Sequence, residues 1–267
     1  MKDPIEVARR FAEILRTRGS GLPDLLAEDV AFRSLNVELR GREAVLKRLT
    51  DKDSSLVYRE STWTDAKPFG EAVRITARMP DDAPHSGYVL LLHLRGAQIG
   101  MIQQQLLLPM KPAPETALRL SDELKNLVNN ALAMRHPMLL SYVDESGQPV
   151  LSFRGSTQAF SDGQLAIWVR NSGGSLLRSI AKNPKVALMY RDEDKKATYQ
   201  FQGSAWIATG ESERQQVYDA SHKVEKDHDF AQLGVAMIID LDRVEGYAGL
   251  SPTGPLGRIN MRRGAAS

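Results

Sequence analysis

The chain contains no cysteine. Disulfides, thiolate metal sites and cysteine nucleophiles are therefore excluded. It has no long hydrophobic run either. No stretch approaches the ~18 uninterrupted apolar residues of a membrane-spanning helix, so no membrane partner is expected. The opening MKDPIEVARRFAEIL mixes charge with apolar residues and lacks the apolar core of a leader, which makes a cytoplasmic location the expectation. Nor does one sign of charge dominate, since 35 basic residues face 33 acidic ones for a net charge of +2. Proteins that grip a nucleic-acid backbone concentrate basic charge, so no nucleic-acid partner is expected. The five histidines form no ligand set. His222 and His228 are six apart and do not share a helix face. His85 and His93 are isolated, and His136 precedes Pro137 at a helix end. No metal site is expected.

What remains is ordinary globular material, 42% hydrophobic and 25% charged. Its 267 residues are enough for two domains. Pro109, Pro112 and Pro114 favour an extended connector and forbid a continuous helix. They divide the chain into a first domain over 1–110, a linker over 111–117, a second domain over 118–250 and an irregular basic tail over 251–267. In the first domain Asp3, Pro4 and Glu6 mark a helix start. Val7, Phe11, Ile14 and Leu15 recur on one helix face, and Gly19–Gly21 ends it. LPDLLAEDVAF reads as a short helix running into a strand. GREAVLKRLTD reads as a helix with Ala44, Val45 and Leu49 inward. VYRESTWTDA, EAVRITARM, GYVLLLHLR and AQIGMIQQQLLL read as strands. Helices followed by antiparallel strands make an α+β domain.

The second domain opens with a helix predicted over 117–134. Strands follow at 138–144, 148–160, 164–170, 185–191, 196–208 and 234–241, with helices at about 174–182 and 211–220. Gly147 and Gly163 sit in hairpin turns. Many short strands and few helices predict a small, mainly β barrel.

The most informative stretch is 148–191. Two alternating strands lead into Asn171-Ser172-Gly173-Gly174-Ser175, and a helix opens directly from that loop. Free N–H groups in the first turn and the helix dipole favour an anion there. Arg154 and Arg170 can grip a phosphate bidentately, and Ser156, Thr157 and Ser175 add hydroxyls. The bland alternative is that Ser172 merely caps the helix and the arginines are solvated. Further on, Gln200, Gln202 and Ser204 share one strand face, with Tyr199, Phe201 and Gly203 on the other.

Residues 118–248 resemble the pyridoxamine 5′-phosphate oxidase-like family of flavin-binding split barrels. The features that carry this are HPMLLSYVDESGQPV after the first helix, the strands SFRGSTQAF and QLAIWVRN, the Asn-Pro after IAK, and YQFQGSAWIA before a Glu/Arg-rich helix. The resemblance implies bound FMN, a homodimer with the cofactor at the subunit interface, and flavin-dependent oxidoreductase chemistry. It assigns cofactor contacts to Arg154, Ser156, Thr157, Arg170, Asn171, Ser172, Gly174 and Ser175. Trp168 becomes a wall of the ring slot, with Gln200 and Gln202 as partners of the ring's polar edge. Two departures stand out. The family's basic pair at the loop turn falls at Ser175 and Leu176, and a strand lysine falls near Thr157. The C-terminal Arg-x-His element of the true oxidase is missing from PLGRINMRRGAAS, so pyridoxamine phosphate is not the expected substrate. The alternatives are a deazaflavin- or haem-binding split barrel, or a non-enzymatic flavin or stress-related binder. Residues 4–108 resemble the nuclear-transport-factor-2-like superfamily of cone-shaped domains. The signature is LLAEDVAFRSL, then LRGREAVLKRL, then RGAQIGMIQQQ. That resemblance implies a pocket lined by Phe32, Trp63, Tyr88, Met101 and Gln103. It finds no carboxylate base among Arg33, Ser34, Leu35 and Asn36, and Asp29 reads as structural.

Overall fold

The computed structural model describes residues 3–35, 37–80, 83, 86–107, 112–251 and 254–264. Asn36, His85 and Pro109, singled out above, lie outside the described residues. The chain divides into two compact units, Met1–Pro112 with Leu250–Gly254, and Ala113–Gly249 with Pro255–Ser267. Among the described residues no helix is long and apolar enough to cross a membrane.

The first unit runs α1 (Pro4–Thr17), α2 (Leu22–Leu25), β1 (Leu26–Ser34), β2 (Val37–Arg40), α3 (Arg42–Thr50), α4 (Lys52–Glu60), β3 (Thr62–Trp63), β4 (Lys67–Phe69), β5 (Ala72–Arg78), β6 (Gly87–Arg95) and β7 (Gln98–Leu106). Asp3 caps α1 by accepting the Ile5 N–H at 3.0 Å. Its buried stripe, Val7, Phe11, Ile14 and Leu15, is the one the sequence spacing predicts. The sheet order is β2-β1-β7-β6-β5-β3, with β4 paired to β5. Among the described residues of this unit, β1 and β7 alone pair in parallel. Helix residues Phe11, Val45, Leu49 and Tyr58 share one core with Ile75, Leu90, Leu92 and Ile102 of the sheet. Asp29, read from sequence as a structural turn residue, lies within β1 instead, where both its oxygens accept from Arg95.

One strand expectation for this unit fails. Residues 57–60 of VYRESTWTDA lie in α4, not in a strand, and only Thr62–Trp63 extends. Tertiary packing overrides the β-propensity of Val57 and Tyr58. Both are buried, and the Tyr58 hydroxyl donates to Gln104 Oε1 at 2.5 Å. Phe32, Trp63, Tyr88, Met101 and Gln103, read from sequence as a pocket lining or, more simply, as core, do not all lie on one side of the sheet. Successive residues of a strand face opposite ways. Phe32 and Tyr88 belong to the helix-side core, whereas Gln103 pairs in register with Leu91 on the other face.

The second unit runs β8 (Thr116–Ala117), α5 (Asp122–Asn129), β9 (Met138–Val143), β10 (Pro149–Arg154), β11 (Gln158–Ser161), β12 (Gln164–Val169), α6 (Ser175–Lys182), β13 (Lys185–Asp192), β14 (Ala197–Ile207), α7 (Glu211–Ala220), α8 (Lys223–Asp227) and β15 (Val235–Ala248), with a last strand at Ile259–Arg262. The sheet path is β10-β9-β13-β14-β15-β12-β11. Its two ends, β10 and β11, are joined by only Gly155, Ser156 and Thr157. A flat path of seven strands would hold its edges roughly 29 Å apart. Four residue steps span at most about 14 Å. The sheet must therefore curl until its edges meet, which makes it a barrel. Leu140, Ile167, Leu188, Phe201 and Ile239 fill the interior. Trp168, Val217, Tyr218 and Ile238 form a second cluster outside it, under α7.

The strand predicted over 148–160 is thus two strands broken at the barrel's closure. The helix predicted over 117–134 shrinks to α5: Ser121 caps it by accepting the Leu124 N–H, and residues 130–135 are turns. The tail is not irregular throughout. Ile259–Arg262 pairs antiparallel with Arg243–Gly246 and parallel with Thr116 and Ala117, and Asn260 is buried. The apolar Ile259 and Met261, alternating between polar residues, carry that strand.

Two close contacts hold this architecture. At the irregularity between Gln202 and Gly203 in the β14–β15 ladder, a Cβ on Gly203 would lie 2.1 Å from the Asp240 carbonyl oxygen. Gly203→Ala is expected to cost about 1–3 kcal/mol, the usual range for overpacking, measured as a lowered urea midpoint. Under α7, Asp229 accepts from Trp168 Nε1 at 2.9 Å, Leu233 N at 3.0 Å and Gly234 N at 2.9 Å. Burial alone would raise its pKa, and these donors overcome that and hold the carboxyl below the ordinary range. A depressed folded-state pKa gives stability that is present above the unfolded value, about 3.9, and is lost as pH falls through the folded one. Asp229→Asn should lower the urea midpoint at neutral pH and shrink its fall on acidification below about pH 4. Parallel pH curves for the two proteins would contradict this.

Candidate functional site

The closure of the barrel builds the site. Gly155 leaves β10 at a close approach: a Cβ there would meet the side-chain ends of Glu225 (Oε1 at 2.4 Å) and Leu132 (Cδ2 at 3.0 Å), which would have to shift. The Ser156 hydroxyl donates to the Trp168 carbonyl at 2.8 Å, and the Thr157 hydroxyl to the Arg154 carbonyl at 3.0 Å. These bonds pin the crossing against the end of β12. The chain then leaves β12 through Arg170 and turns at Asn171, where Gly174 N donates to the Asn171 carbonyl at 3.1 Å, and α6 begins.

A cavity of about 340 Å³ opens between these segments. Arg154, Ser156, Trp168, Arg170, Asn171, Gly174 and Ser175 all line it. Arg154 is half-buried, and its Nε is enclosed without a hydrogen-bond partner. Burial, with the charge of Arg170 nearby, pulls its pKa below the usual guanidinium value, while Tyr142 and Glu225 act the other way. The residue preceding α6 is Gly174, which offers no side-chain cap. The first-turn amides at Ser175, Leu176 and Leu177 therefore have no acceptor within the helix. An enclosed cation with an unused donor beside an uncapped helix start favours an anion.

Other expected residues lie elsewhere or have different work. The Thr157 and Ser172 side chains do not line the cavity. The Ser156 and Thr157 hydroxyl protons are already committed to carbonyls, so neither is free to donate to a phosphate. Ser172 is not the cap, since Gly174 holds that position. Trp168 touches the cavity, but its indole belongs to the layer under α7, edge-on to Tyr218 at 5.0 Å. It does not form a slot wall. Gln200 and Gln202 do share a half-buried face of β14, but away from this cavity. Gln202 lines a second groove of about 430 Å³ with Lys185 and Arg243.

The register ties the two places together. Phe153, Leu139, Met189 and Gln200 occupy one row across β10, β9, β13 and β14. Leu151, Ser141, Ala187 and Gln202 occupy a neighbouring row. Phe153 and Leu151 are 71% and 64% exposed, and Phe153 also lines the first cavity. An exposed apolar band therefore runs from the cavity toward the two amides.

Tyr142, Phe153 and Glu225 line the cavity and escaped the sequence reading. The Tyr142 hydroxyl lies 3.4 Å from Ser175 Oγ. It sits in an unremarkable alternating strand, so only the barrel's curvature reveals it. Glu225 looked like one charge among many in ASHKVEKDHDF. It stands on α8, mostly buried, with Oε2 at 3.9 Å from Arg170 Nε. No local pattern marks it, although a glycine opposite it at Gly155 is consistent with its approach.

The family match falls within the second unit. Residues 120–242 match the family model described as pyridoxamine 5′-phosphate oxidase. No curated protein matches the chain. Among solved structures, HupZ of Group A Streptococcus is 22% identical, covering 51% of this chain and 98% of its own, at a TM-score of 0.37. A Clostridium acetobutylicum protein related to general stress protein 26 is 14% identical over 52% of this chain and 95% of its own, at 0.39. General stress protein 26 of Bacillus anthracis is 15% identical over 52% and 98%, at 0.39. Residues 120–242 are thus similar to the pyridoxamine 5′-phosphate oxidase family.

Proposed function

We propose that the cavity at the barrel closure holds the phosphate of FMN, and that the protein is a flavin-dependent oxidoreductase acting as a homodimer. The observation that carries this reading is the enclosed, unpartnered Nε of Arg154 beside the uncapped start of α6. The family match supports it. Arg154, Arg170, the first-turn amides and the Ser175 hydroxyl would hold the phosphate. A bound flavin supplies hydride transfer, which asks little acid–base work of the protein. What the chain's own residues contribute is binding and position. Arg154 and the α6 amides fix the anionic end, and Glu225 tempers the positive charge of Arg170.

Gln200 and Gln202 lie too far along the barrel to serve the same cavity in one chain. In the homodimer reading they come from a second copy, packed through the band that starts at Leu151 and Phe153. The substrate in this reading is a small molecule. The first unit is an appended cone of the nuclear-transport-factor-2-like kind, with helices on one face of a mixed sheet.

Titration of the full chain with FMN, followed by quenching of flavin fluorescence, tests the site. Arg154→Gln should weaken FMN binding at least about tenfold, the scale of a lost charged hydrogen bond. Glu225→Gln should strengthen it. Neither should change the affinity for riboflavin, which lacks the phosphate. Equal FMN binding by all three proteins would sink the assignment. The assembly has its own test. Leu151→Asp with Phe153→Asp should shift sedimentation from dimer to monomer and weaken riboflavin as well as FMN. A parent protein that sediments as a monomer would end the dimer reading.

A further inference from the structure

The sheet of the first unit has a second face, turned away from its helices, and this face is concave. Strands as far apart in the path as β1 and β4 line one cavity of about 680 Å³. The register sets five side chains in a single row across it: Arg33 opposite Gln103, Gln103 opposite Leu91, Leu91 opposite Arg74, and Arg74 opposite Lys67. The neighbouring row sets Gln105 opposite Val89 and Val89 opposite Thr76. The floor is therefore the half-buried pair Val89 and Leu91. Amides flank it on one side and cations on the other.

The charges in this cavity do not cancel. Arg33 is committed to Glu38 at 3.3 Å. The one carboxylate in the lining, Asp65, lies 3.8 Å from Arg9. Arg74 has only the ring of Phe69, with its guanidinium carbon 5.5 Å from the centroid. Among the described residues neither Arg74 nor Lys67 has a carboxylate partner, and they are neighbours in register. Like charges placed side by side repel, and a shared anion relieves that repulsion. His93 Nε2 lies 2.7 Å from Gln103 Oε1, which leaves the amide nitrogen of Gln103 as the end available to a ligand.

We infer that this face binds an organic anion, a carboxylate or sulfonate head on a flat apolar body. The head pairs with Arg74 and Lys67, the body covers Val89 and Leu91, and Gln103 and Gln105 donate at its edge. A fully apolar ligand would leave the cations unmatched, and a bare inorganic anion would leave the floor uncovered. The inference stands on the first unit alone and does not rest on flavin binding by the second.

The test uses the full chain, with FMN present throughout to occupy the barrel site, and anilinonaphthalene sulfonate as the probe. Fluorescence titration should give binding about tenfold weaker in Lys67→Gln/Arg74→Gln, the loss expected when charged hydrogen bonds are removed. The parent's affinity should fall as salt rises, while the double variant's should hardly change. Gln105→Glu, at the exposed rim, should weaken the dye by repulsion without touching either cation. Anilinonaphthalene, which lacks the sulfonate, should bind parent and double variant alike. Equal dye affinity in parent and double variant would overturn the inference. So would sedimentation showing that Lys67→Gln/Arg74→Gln abolishes a dimer of the parent, since the face would then belong to a second copy.

Discussion

The second unit depends on one short crossing. Gly155, Ser156 and Thr157 must carry the chain between opposite edges of a seven-strand path, and the barrel exists because three residues cannot reach across an open sheet. The crossing also sets the chemistry. It leaves Arg154 at the last position of an edge strand, half-enclosed, and brings it to the end of β12 just where Arg170 and the start of α6 emerge. Ser156 and Thr157 spend their hydroxyl protons on carbonyls at the seam. Hydroxyls that look like ligand donors in the sequence therefore serve the seam, and in the proposed reading guanidinium and backbone N–H groups would hold the anion.

The balance of charge at the seam follows from the same packing. Glu225 comes close to Gly155, where a Cβ would make its carboxylate end shift. Its carboxylate faces two arginines in a small, partly enclosed space. The Arg170–Glu225 contact is long, at 3.9 Å, and the Arg170 side chain is half exposed, so solvent screening leaves it a weak ion pair. Glu225 therefore serves the folded state little through this pair. Its larger effect is on a ligand, because it lowers the positive potential that a phosphate dianion would meet. A seam with two arginines and one carboxylate would moderate the charge offered to the anion proposed above.

Much of the fold was legible because alternation and helix spacing are local properties. The face shared by Gln200, Gln202 and Ser204 follows from counting by two, and α7 begins and ends where its pattern says. The failures share a physical cause: each depended on a partner distant in sequence. Val57 and Tyr58 carry strand propensity, and a distant Gln104 helps hold them in a helix. The last strand is polar and short, yet β15 and Thr116–Ala117 provide a place to pair. Arg154, Arg170 and Ser175 could be proposed from the strand–loop–helix pattern. Tyr142 and Glu225 could not, because the curl of the sheet and the seating of α8 bring them in. Trp168 lines the cavity while its indole is held by Asp229 and Tyr218, partners that no local pattern announces.

Register turns these separate observations into surfaces. A strand pair fixes not only which residues touch but which residues many strands apart lie in one line. On the barrel, that logic joins Phe153 at the cavity mouth to Gln200 three strands away through Leu139 and Met189, all on one face. An apolar line ending in amides suits contact with a second copy better than contact with water, because the exposed part of the line gains by burial and the amides retain hydrogen-bonding capacity at its edge. In the first unit, the same logic lines up Arg33, Gln103, Leu91, Arg74 and Lys67, and the outcome differs because the row is cationic. Two such cations side by side oppose self-association through that face and favour a small anionic guest. The difference between the two faces thus comes from which residue types the alternation exposes along each row.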